Sequence, residues 1–228
     1  MRGPSLDLKA HITDRIASQS TSHVWSPVDF LDLASRDAVD KALQRLAHDQ
    51  DLRRIDRGLY DQLRTSRLTG KPAPPDYRAV IAAIARRDQT PMLVDGMTAA
   101  NDLGLSEAVP GRVVVHTAAR LRPVRIGNLT LTFRPTAPSK LFWAGRPAMR
   151  VVQALHWLRC ALSDPTEYDR ILARLKVILS DTAHGCAIRE DLAAGLPTLP
   201  AWMQAIVRRL LHATEATQQG DGSEDKNK

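Results

Sequence analysis

The sequence predicts an α+β fold with its elements in two groups, and three observations carry that expectation. Residues 1–64 alternate helical periodicity with short β-prone runs. A proline-rich stretch at 65–76 then interrupts the pattern. Beyond it, a hairpin signal at Gly127-Asn128 gives way, from Pro147, to helical stripes.

The N-terminal elements follow in order. Leu8, Ile12 and Ile16 recur every four residues, which predicts a helix over 6–18. His23-Val24-Trp25 is short and β-prone, a candidate first strand. Ser26-Pro27 pairs a capping residue with a first-turn proline, and a short helix through Phe30 and Leu33 follows. Ser35 is the N-cap expected for the next helix, over 36–48. There Val39, Ala42, Leu43, Leu46 and Ala47 form one apolar face, opposite Asp37, Lys41, Gln44 and His48, with Arg45 on the flank. Leu52–Ile55 and Leu59-Tyr60 read as short strands joined at Asp56-Arg57-Gly58, where Gly58 is free to take a positive φ. Helix, strand, helix, turn, helix, hairpin is the order of a winged helix-turn-helix domain over residues 1–64, with 36–48 as its recognition helix.

Gly70, Pro72, Pro74 and Pro75 preclude a continuous helix, so 65–76 is expected to be an extended or flexible linker. A second domain over 77–213 is expected to be α+β, followed by C-terminal helices. Its elements would be a helix over 77–87, a short helix over 98–103 ended by Gly104, a buried strand at Val113–Val115, and a hairpin of 123–126 with 129–134. Leu129, Leu131 and Phe133 would face one side of that hairpin, and Thr130, Thr132 and Arg134 the other. Stripes at 151–162 and 171–179, then Trp202, Ile206 and Leu210, predict the helices. Residues 214–228 hold no apolar side chain but Ala216 and are expected to form a disordered tail.

The chain carries +7, unevenly placed. Residues 1–64 balance ten basic against ten acidic side chains; residues 65–150 carry thirteen against five, and 151–228 nine against ten. The excess therefore lies in the middle and not in the candidate DNA-binding domain. No apolar run approaches the ~20 residues a membrane span needs. The N-terminal residues lack the apolar core of a signal peptide. With Cys160 and Cys186 expected as buried, reduced thiols, these features point to the cytoplasm.

Catalytic patterns are missing. There is no Walker-type or Gly-x-Gly-x-x-Gly loop, no His-Glu-x-x-His, and no Gly-x-Ser-x-Gly. The seven histidines are scattered, so no metal or other cofactor is expected. Asp95 and Asp102 are better explained by a turn and a helix surface than by a carboxylate pair. Trp25, Trp143, Trp157 and Trp202 read as core or interface anchors. The chain is read as a binding protein, not an enzyme.

Ile55-Asp56-Arg57-Gly58-Leu59-Tyr60 resembles the wing signature of the AbiE-type antitoxins of type IV toxin–antitoxin systems. Gly70 with Pro74-Pro75 resembles that family's linker. Ala99–Ser106 followed by Val109-Pro110 resembles the start of its second domain, and 113–117 and 126–133 resemble the strands after it. The resemblance covers roughly residues 5–142. It implies a transcriptional repressor of its own operon that binds inverted repeats in operator DNA and counters a nucleotidyltransferase-like toxin, in the setting of abortive infection and phage defence. Self-association on DNA is expected with it. DNA contacts would come from Arg36, Lys41, Gln44, Arg45, Arg53, Arg54 and Arg57. Arg120, Arg122, Arg125 and Arg134 cluster on the second domain's hairpin, where a solvated face and a site for an acidic partner or a phosphate backbone both remain open. Two rivals stand beside this reading: a winged-helix regulator whose second domain senses a ligand, and a module whose winged helix docks protein.

Overall fold

A computed structural model describes residues 8–20, 22–66, 70–108 and 111–221, with side chains as far as Thr214. The architecture is mixed α and β. In chain order its first elements are α1 (Leu8–Ala17), β1 (Val24–Trp25), α2 (Arg36–His48), β2 (Arg53–Asp56), β3 (Leu59–Asp61), α3 (Tyr77–Asp88), β4 (Leu93–Val94) and α4 (Gly96–Asp102). Then come β5 (Arg112–Thr117), β6 (Val124–Ile126), β7 (Leu129–Pro135), α5 (Met149–Trp157), α6 (Pro165–Leu179), α7 (Gly185–Gly195) and α8 (Ala201–Asp221).

The chain forms two compact units: Met1–Met92 with Gly111–Ala137, and Leu93–Pro110 with Pro138–Lys228. This corrects the single boundary expected at 65–76. Strands β5 to β7 belong with the N-terminal elements, and α4 belongs with the C-terminal helices. Composition along a chain marks where prolines fall; it does not show which distant segments pack together.

The described part of 65–76 is not a free linker. Thr65 bridges Pro72, the Ser66 amide donates to the Lys71 carbonyl at 2.8 Å, and the Ala73 amide donates to the Arg64 carbonyl at 2.7 Å. Arg53 Nη1 also donates to the Ala73 carbonyl at 2.8 Å. These bonds outweigh the conformational freedom that the glycine and prolines imply. Residues 67–69 lie outside the described ones.

In the first unit, α2 occupies the span its periodicity predicts. Its buried Val39, Leu43 and Leu46 pack with Ile12, Trp25, Phe30 and Tyr60. Ser35 stands at the N-cap position, but its hydroxyl makes no capping bond. The helix expected through Phe30 and Leu33 is a single 3-10 turn, Pro27–Phe30, steadied by the Ser26 amide donating to Asp29 Oδ2 at 2.7 Å. β1, β3 and β2 form an antiparallel sheet in that order, with Tyr60 opposite both Trp25 and Arg54. β7 pairs parallel with β5 and antiparallel with β6. Gly127, at φ +59°, makes the β6–β7 turn, as expected for the two-residue connection.

In the second unit, α4 and α5 approach closely at Gly96. A Cβ there would stand 2.5 Å from Trp157 Cβ and 2.6 Å from the Gln153 carbonyl oxygen. Asp95 caps α4, accepting from the Thr98 amide at 3.0 Å and the Thr98 hydroxyl at 2.8 Å. Asp102 does not sit on a helix surface: its side chain is 2% exposed, and Arg150 Nε donates to it at 2.9 Å. Helix α7 has no counterpart in the sequence reading. It is bounded by two glycines and offers only Ile188 and Leu192 as large apolar side chains, too few for a legible stripe.

Helix α8 runs to Asp221, past Ala213, which corrects the expected tail over its first part. Glu and Gln are good helix formers even without apolar neighbours. Residues 222–228 lie outside the described ones. Both cysteines are exposed free thiols, not buried ones. Among the described residues no helix is long and apolar enough to cross a membrane.

Candidate nucleic-acid interface

Burying Val39, Ala42, Leu43 and Leu46 obliges α2 to turn Arg36, Asp37, Lys41, Gln44, Arg45 and His48 outward, and all six are exposed. Among the described residues, Lys41, Gln44 and Arg45 make no side-chain hydrogen bond or ion pair. Arg36 differs, because its Nε donates to Asp40 at 3.0 Å. An i,i+4 pair at the surface is weak, so this does not remove Arg36 from reach of an anion.

The β2–β3 hairpin turns at Gly58, whose φ of +68° is a conformation that side chains with a Cβ resist. Arg54 and Arg57 are exposed, and neither side chain is engaged internally among the described residues. Arg53 faces the other way. Its Nε and Nη2 donate to Asp61 at 2.9 and 2.6 Å, and the Asp61 side chain is 3% exposed. A carboxylate so deeply buried needs its partner, and Arg53 is held there by a third bond to Ala73. Of the hairpin arginines expected at DNA, Arg53 is thus the one engaged internally, bracing the hairpin through Asp61 and the Ala73 carbonyl.

Arg120 and Arg122 lie in the connection between β5 and β6, Arg125 on β6, and Arg134 near the end of β7. All four are exposed and without a side-chain partner among the described residues. They stand in the first unit, not in a separate second domain. Arg120 and Arg122 line a cleft with Arg36, Arg57 and Asp56, while Arg125 lines another with Arg53 and Arg54. Sequence reasoning passed over Arg112. It is exposed at the start of β5, opposite Thr130, which is in turn opposite Arg125. Alternation along 112–117 places it outward with Val114 and His116, and that signal was available.

Two histidines are perturbed. Burial, then the nearby Arg86 cation, holds His23 below the usual histidine range, with Asp29 opposing. Its Nε2 lies 3.1 Å from Arg86 Nη2; the guanidinium has only protons to give, so Nε2 accepts. Burial, then Arg159, lowers His156. Among the described residues no three His, Cys, Asp or Glu side chains stand together as a metal site.

Comparison with curated proteins finds no match to the chain. The profile of one family matches residues 11–185, a span that takes in the whole of the interface described above. The chain belongs to DUF6088, a family of unknown function.

Proposed function

We propose that the chain is a DNA-binding autorepressor of the antitoxin type. In this reading the N-terminal part of the first unit is a winged helix-turn-helix. The order α1, β1, 3-10 turn, α2, β2, β3, with sheet order β1-β3-β2, supports it. One observation carries the DNA reading: Lys41, Gln44 and Arg45 project from α2 with no side-chain hydrogen bond or ion pair among the described residues, and Arg57 at the hairpin turn lines the same cleft as Arg36. A helix with free cations and an amide fits the major groove, where Gln reads adenine bidentately and Arg or Lys reads guanine. Arg54 and Arg57 serve as phosphate or minor-groove contacts.

The antitoxin half rests on the resemblance of the hairpin and of residues 99–133 to AbiE-type antitoxins. Binding of the full chain to duplex DNA from upstream of its own gene, followed by gel shift, tests the first half. Rescue of cells from a neighbouring nucleotidyltransferase-like gene product tests the second. A paired operator is expected, since such modules bind inverted repeats as two copies. The expected compartment is the cytoplasm, where both partners reside.

A second reading is favoured by one feature. The second unit holds a pocket of about 570 Å³, walled by Val151, Val177 and Ile178 and rimmed by Arg150, Arg174 and His184. That volume suits a small molecule. A repressor that senses a ligand there would change its operator affinity when the ligand is added, whereas an antitoxin would not need to.

A further inference from the structure

Residues 111–137 contain five arginines and no acidic residue. Elsewhere in the first unit, several acids are engaged by neighbouring cations: Asp29 by Arg86, Asp32 by Arg15, Asp61 by Arg53 and Asp88 by Arg87. Among the described residues the arginines of 111–137 form no such ion pair, although Asp56 and Asp88 line the cleft of Arg120 and Arg122. All are exposed, and among the described residues none makes a side-chain hydrogen bond or ion pair.

Register and clefts order this charge. Arg112, Thr130 and Arg125 form one row across β5, β7 and β6, and His116 stands opposite Arg134 in another. Each exposed arginine of the β2–β3 hairpin shares a cleft with this group: Arg57 with Arg120 and Arg122, and Arg54 with Arg125. None of the large hydrophobic side chains exposed on the described residues lies within 111–137. Protein interfaces centre on desolvated aromatic or aliphatic anchors, whereas DNA interfaces are polar and strongly basic. The face has the second character.

We propose that Arg120, Arg122 and Arg125 are phosphate contacts that extend the duplex-DNA footprint of α2 and the hairpin onto the second sheet. The inference rests on the DNA-binding reading above and deepens it. These arginines carry no base readout; they add affinity on any sequence and strengthen its salt dependence.

The test compares the full-length chain with its Arg120→Ala/Arg122→Ala/Arg125→Ala variant on operator and unrelated duplexes across a salt series. Three lost phosphate contacts should flatten the slope of log K against log salt by about 2.7 and weaken both duplexes alike. The triple Arg→Lys variant should keep the slope, which separates charge from fold. A triple alanine variant with wild-type affinity and slope overturns the inference and leaves the DNA-binding reading in place. So does one that binds DNA normally yet no longer rescues cells from the toxin, because the face would then be a protein surface. A wild-type chain that binds no duplex overturns both.

Discussion

Arg53 and Arg54 are adjacent, and the fold gives them opposite tasks. Arg53 neutralises the buried Asp61, while Arg54 is exposed and makes no side-chain hydrogen bond or ion pair among the described residues. Alanine at Arg53 should cost about 3–5 kcal/mol, because it strands a buried carboxylate. Alanine at Arg54 should leave stability within about 0.5 kcal/mol and weaken DNA binding instead. Urea denaturation and gel shift on the same two variants separate the effects. The sequence reading grouped these neighbours as DNA contacts, although period-two alternation along a strand sends adjacent side chains to opposite faces. It could not say which one would meet Asp61, because that depends on β2 pairing with β3. His23 gives a pH prediction. Its folded pKa lies below the unfolded one, so the unfolded chain binds the proton more readily. The stability it contributes is full above about pH 6.5 and is lost as pH falls from there towards the folded pKa. His156 acts in the same direction. Melting temperature should fall on acidification over that window, and less so in a His23→Gln variant. An unchanged fall would remove His23 from the account.

At the scale of elements, helices with a full apolar stripe and hairpins with a two-residue turn were legible. Helix α2, the β2–β3 hairpin and the β6–β7 hairpin follow from Val39 to Leu46, Gly58 and Gly127. Helix α7 was not, because two large apolar residues in eleven give no period to read. Close approach of elements is also silent in sequence. At Gly96 the space for a Cβ is filled by Trp157 and the Gln153 carbonyl. A backbone oxygen cannot swing aside as a side-chain tip can, so Gly96→Ala should push α4 and α5 apart. A loss of about 1–3 kcal/mol is expected, read as a lower melting temperature with DNA affinity unchanged.

At the scale of the molecule, the discontinuous first unit changes how function must be dissected. Residues 111–137 fold with the N-terminal elements, so deleting residues 1–64 removes part of a unit rather than a whole one. A fragment starting at residue 77 should therefore show strand loss by circular dichroism, and point variants are the better tools. The same division relocates the positive charge. Counted by sequence, the first unit holds twenty basic against twelve acidic residues, while the second holds twelve against thirteen. The charge that looked misplaced between two domains belongs to the unit that carries α2 and the hairpin. That was out of reach of sequence, since it depends on which segments share a core. The central claim, that α2 and the hairpin bind DNA, is tested most directly by the salt dependence of operator binding for the full chain and its Arg54→Ala/Arg57→Ala variant. The account predicts tight binding at low salt and a slope flatter by about 1.8 in the folded variant. A variant that keeps both the affinity and the slope of the wild type would contradict it.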